Sequence, residues 1–67
     1  MEKMLQKRLK IERVKVGMTQ QELSNLSGVS RNVISMVENG DLSSVTYGKM
    51  EKLSNVFGLS PKELFFE

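Results

Sequence analysis

Apolar residues recur along this chain at three- and four-residue spacing in five stretches bounded by glycines or small hydroxyl residues, a pattern that predicts helices rather than strands. The first stretch, Met1 to Val16, brings Leu5, Leu9 and Val16 near one face with Arg13 between them. No Gly or Pro interrupts it, and Gly17 stands where a left-handed C-terminal residue would end it. Thr19-Gln20-Gln21-Glu22 has the form of a capping box that opens a short second helix bearing Leu23 and Leu26 and stopping at Gly28. Ser30 is a good N-cap for a third, Arg31 to about Glu38, ended by Asn39-Gly40. The turn between them is about four residues long and contains a Gly, which suits two helices crossing steeply. Asp41 to Val45 reads as a loop. Thr46 caps a fourth helix with Met50, Leu53, Val56 and Phe57, closed by Gly58 and weakened in its first turn by Gly48. Ser60, Pro61 and Glu63 repeat the capping logic ahead of Leu64-Phe65-Phe66. The reading is all-α, five helices in a single domain over residues 1–67, with short loops and no internal repeat.

Composition narrows the chemistry. With 67 residues and no Cys or His, disulfide scaffolds, zinc fingers, histidine bases and cysteine nucleophiles are absent by inventory. The hydroxyls have no evident base to activate them and the acids lie singly, so no catalytic residue, metal or cofactor is expected. A domain this small buries only about 60% of its unfolded surface, near the lower limit for folding unaided. The first ten residues alternate charge with Met and Leu instead of building a signal-peptide core, and the expectation is a cytoplasmic protein with no membrane partner. Net charge is only +2 but uneven. Residues 1–40 carry seven basic against four acidic side chains and residues 41–67 three against four, so an anionic partner would meet the N-terminal part.

The third helix is the informative one. At about 100° per residue Ile34 and Val37 point one way, with Ser30 and Glu38 near them, while Asn32, Ser35, Met36 and Asn39 fall together on the other side. Exposed helix faces usually carry Glu and Lys, so a face of neutral polar residues and Met needs a reason. Base edges supply one: amides and hydroxyls match major-groove donor and acceptor patterns, Arg31 at the helix start can bind guanine O6 and N7, and a thioether packs on a thymine methyl. The same face also fits capping and filler residues on a solvated helix.

The order L-K-x-x-R-x-x-x-G-M-T-Q-Q-E-L-S-x-x-S-G-V-S-R-N-x-I-S-x-x-E-N-G, Leu9 to Gly40, continued by L-S-N-V-F-G-L-S-P-K-E-L, Leu53 to Leu64, resembles the helix-turn-helix domains of the lambdoid phage repressor and Cro family, the XRE-like regulators. The resemblance covers nearly the whole chain. It implies a compact five-helix, lambda-repressor-like DNA-binding domain in which the second helix crosses the phosphate backbone and the third lies in the major groove. By that likeness Arg31, Asn32, Ser35 and Met36 face base edges and Gln20 and Asn39 contact phosphates, although Gln20 also fits an exposed first turn and Asn39 a plain helix stop. Arg13 and Glu38 take the positions of a paired arginine and glutamate with a structural role. Two departures stand out: Asp41-Leu42-Ser43-Ser44-Val45 lacks the basic residues that follow the E-N-G segment in many relatives, and Met36 replaces a usual polar reader.

One recognition helix selects poorly among genomic sites, so the resemblance further implies a homodimer on a palindromic operator. Leu59, Phe65 and Phe66 are the candidate dimer interface, although the aromatics also fit the domain's own core and one of the two is expected there. Double-stranded DNA is the expected partner, with RNA polymerase a further candidate. The alternative from another class is an antitoxin-like or anti-regulator module whose helices bind a protein.

Overall fold

The computed structural model describes residues 4–66, with side chains from Arg8 onward; the expected inward position of Leu5 falls outside the described side chains. Five α-helices and no strand are present among the described residues: α1 (Met4–Lys15), α2 (Gln20–Ser27), α3 (Arg31–Glu38), α4 (Tyr47–Val56) and α5 (Pro61–Phe65). Each boundary has a local cause. Thr19, Ser30, Thr46 and Ser60 cap α2 to α5 by accepting from the third backbone N–H of their helix, and α2 and α5 have complete capping boxes through Glu22 and Glu63. Pro61 fills the first position of α5, where a missing N–H costs nothing.

α1 packs on α3 and α5, α2 on α3 and α4, and α4 on α5. The core between them is Leu9, Leu23, Val29, Val33, Ile34, Val37, Met50, Leu53, Leu64 and Phe65, with Met18, Leu42, Val45, Val56, Phe57 and Leu59 packed around it. One polar side chain, Ser54, is enclosed in it and donates to the Met50 carbonyl at 2.7 Å, so its hydroxyl is not left unpaired.

Four expectations are corrected here. α1 ends at Lys15, and Val16 is 60% exposed because Gly17, at φ +71°, turns the chain before another inward position is reached. Phe57 caps α4 instead of belonging to it. The α2–α3 turn is the three residues Gly28-Val29-Ser30, shorter than expected, because Val29 is itself a core residue and anchors the corner. Phe65 is 3% exposed and belongs to the domain's own core, so of the proposed interface aromatics only Phe66, 55% exposed, reaches the surface.

The corner depends on Gly28, which sits at φ +79° with open space where a Cβ would be. Substitution there carries backbone strain without a clash. Gly28→Ala is expected to cost about 1 kcal/mol, read as a Tm fall of roughly 4–8 °C by circular dichroism.

Candidate nucleic-acid interface

α3 divides its residues sharply. Val33, Ile34, Val37 and Glu38 are buried, Arg31, Asn32 and Asn39 are exposed, and Ser35 and Met36 are half-buried on the same outward side. Arg31, Asn32 and Ser35, together with Gln20 from the first turn of α2, line one open depression of about 330 Å³. Four of the residues singled out in the sequence thus meet at one place, although they come from two helices. Met36 lies one step further round α3, its sulfur 4.0 Å from the Asn32 side-chain amide nitrogen. Asn39 is the C-cap of α3: its backbone N–H donates to the Ser35 and Met36 carbonyls at 3.1 Å, which leaves its exposed side chain outside the capping contacts.

What holds this face in place is a polar clasp around Glu38. Its carboxylate receives Arg13 Nε at 2.7 Å and Arg13 Nη2 at 3.0 Å, a two-pronged contact, and Gln20 Nε2 at 2.9 Å. Arg13 Nη1 donates to the Met18 carbonyl at 2.7 Å. One carboxylate therefore joins the end of α1, the start of α2 and the end of α3. The pair is well enclosed, with side-chain exposures of 12% for Arg13 and 4% for Glu38. The Glu38 contact raises the Arg13 guanidinium above its ordinary value, against the opposing effect of burial.

The Gln20–Glu38 bond was not legible beforehand. Residues 18 apart meet only once two helices cross, and no local spacing encodes that. It matters for Gln20: an amide nitrogen has two hydrogens, and one is spent on Glu38, so the side chain is oriented while a second donor stays available. The exposed start of α2 adds to this, since the first N–H groups of a helix lack intrahelical acceptors.

Three of the N-terminal cations are paired internally, which leaves the net excess unchanged but localises it on the others. Arg8 Nε lies 3.1 Å and Lys15 Nζ 3.4 Å from Glu12, and Arg13 is committed to Glu38. The Arg8 contact also holds the Glu12 carboxyl below its ordinary range. Beyond α3 the loop carries negative charge: Asp41 accepts from Ser43 Oγ at 2.6 Å and from the Ser43 backbone N–H at 3.0 Å, and these bonds lower its pKa. Arg31 has no carboxylate partner among the described residues. Tyr47, 61% exposed at the start of α4, is a large aromatic the sequence reading did not single out.

Among the described residues no helix is long and apolar enough to cross a membrane, and no group of three or more His, Cys, Asp or Glu side chains is placed to hold a metal ion.

Comparison with known proteins agrees with the fold. A family model described as helix-turn-helix matches residues 9–64. No curated protein matches the chain. A chain from the SinR protein/SinI protein complex superposes with a TM-score of 0.83 at 28% identity, covering 96% of this chain and 62% of that one. A second structure, FeII HppE in complex with substrate, superposes with a TM-score of 0.77 at 25% identity, covering 97% of this chain and 36% of that one. The present chain thus corresponds to a part of each.

Proposed function

The chain belongs to the XRE-like helix-turn-helix family, and from that premise we propose that it is a transcriptional regulator that binds double-stranded DNA with α3 in the major groove. Arg31, Asn32, Ser35 and Met36 read base edges, and Gln20 and Asn39 hold phosphates. The observation that carries this reading is the shared depression in which Gln20 meets Arg31, Asn32 and Ser35. A phosphate donor already oriented by Glu38 stands beside the base-reading side chains, the arrangement needed to fix register and read sequence in one docking event. The family match and the fold similarity support a DNA-binding regulator at the coarser level.

A base reader and a phosphate contact separate in their expected effects. Arg31→Ala lowers discrimination at one base pair by about 1–3 kcal/mol, whereas Gln20→Ala weakens specific and random duplexes alike. Anisotropy titrations on both duplexes measure this, and equal losses on the two for Arg31→Ala remove it as a reader.

The proposed dimer on a palindromic operator rests on the limited reach of one recognition helix, with half-sites about one turn, roughly 34 Å, apart. Phe65 is withdrawn from its interface by burial, leaving the exposed Phe66 and the half-buried Leu59 as its candidates. Phe66→Ser is expected to lower the dimer fraction in sedimentation while leaving the fold intact; an unchanged profile excludes this end of the molecule from self-association. A protein-binding role, the competing reading, predicts complex formation indifferent to nucleic acid, in place of DNA affinity that falls steeply with salt.

A further inference from the structure

α1 has apolar side chains on both of its faces. Leu9 points inward and is fully buried, whereas Ile11 and Val14 are 52% and 57% exposed. Going about 100° per residue, these two lie about 200° and about 140° round the helix from Leu9, on the side away from the core. β-Branched residues are middling helix formers, and an outward face that met only water would be better served by Glu, Lys or Gln. Ile11 and Val14 form the floor of a surface groove of about 460 Å³, and its remaining walls are Lys10 and Lys15.

Both walls of this groove are lysines, and one of them, Lys15, has a carboxylate at 3.4 Å. Lys10 has no carboxylate partner among the described residues, and Lys15 is 65% exposed in its side chain. The neighbouring acid, Glu12, is 13% exposed and already held between Arg8 and Lys15. An apolar floor between two lysine walls fits a ligand that is apolar along its middle and anionic along both edges. We propose that this face of α1 docks an amphipathic α-helix of a partner protein, its leucine-like side chains on Ile11 and Val14 and its carboxylates beside Lys10 and Lys15.

Two other occupants fit less well. A second copy of this chain would bring the lysines of one groove against those of the other. A DNA backbone would match the lysines but gain nothing from the two aliphatic side chains. The groove also lies on the side of α1 opposite the one that packs on α3 and α5, so a helix seated there leaves the outward face of α3 open. The inference is independent of the DNA-binding reading.

The test uses the whole chain, its amide NMR spectrum, and a synthetic helical peptide with leucines at three- and four-residue spacing flanked on both sides by glutamates. Saturable shifts confined to residues 10–15 are expected. Ile11→Ser combined with Val14→Ser should weaken binding by at least about tenfold with the remaining spectrum unchanged, as should exchange of the peptide's glutamates for lysines. Failure of the peptide to bind, shifts centred elsewhere, or equal binding of the lysine-flanked peptide would each overturn the proposal. So would a dimer of the chain alone that the double replacement dissolves, or phosphatidylglycerol vesicles that bind this face when the peptide does not.

Discussion

Glu38→Ala is expected to destabilise the protein more than any single change at its surface. Removing this carboxylate leaves the Arg13 guanidinium, 12% exposed, with only the Met18 carbonyl, and releases Gln20. Breaking one partner of a buried pair costs about 3–5 kcal/mol. Residual exposure of Arg13 lets water reach part of the stranded charge, so the lower end of that range applies. A chain of this length has roughly 3–10 kcal/mol in total, and a Tm fall of at least about 12 °C follows. Arg13→Met combined with Glu38→Leu should cost less than Glu38→Ala alone, because neither charge is then left without its partner. Thermal unfolding of the three proteins decides it; a double variant less stable than the single one would show that the clasp stabilises beyond the avoidance of an unpaired charge.

Ser35→Glu is expected to abolish specific DNA binding while leaving the helix at least as stable. Glu is a better helix former than Ser, and position 35 is half-buried at the lip of the depression that Gln20, Arg31 and Asn32 share. The introduced carboxylate would sit one turn after Arg31, where it can pair with the guanidinium proposed to read a base edge, and it would meet the polyanion as a like charge. Like-charge contacts of this kind cost several kcal/mol, so affinity should fall about a hundredfold or more. Ser35→Ala removes one neutral contact and should fall by less than about tenfold. Anisotropy titration reads both, with far-ultraviolet circular dichroism to confirm the fold. Similar affinities for the two variants would place position 35 outside the DNA contact.

The helices were legible in the sequence because their boundaries are written locally. Thr19, Ser30, Thr46 and Ser60 act on backbone groups three residues away, and the glycines at positions 17, 28, 40 and 58 take the left-handed conformation that other residues avoid. The outward face of α3 was legible for the same reason, since one helix's periodicity separates Ile34 and Val37 from Asn32 and Ser35. Burial near element ends was not. Phe65 ends a helix of five residues and Phe66 is its C-cap, so periodicity cannot assign one inward and one outward. Val16 lay beyond the last turn of α1, where helical spacing no longer applies. Contacts between helices were also out of reach: Gln20 on Glu38 and the way α2 places Gln20 beside Arg31 both depend on crossing geometry. Charge counting gave the net excess but not where it is free, because a residue total does not show that Arg8, Arg13 and Lys15 are paired within the chain.

Selection of binding sites from random duplex oligonucleotides with the purified protein tests the central claim most directly, since it reports whether the outward side of α3 reads sequence at all. Enrichment of one two-fold symmetric site, with half-sites about one helical turn apart and a base position in each half that relaxes for Arg31→Ala, is the predicted result. Recovery of no preferred sequence from a folded protein would contradict it.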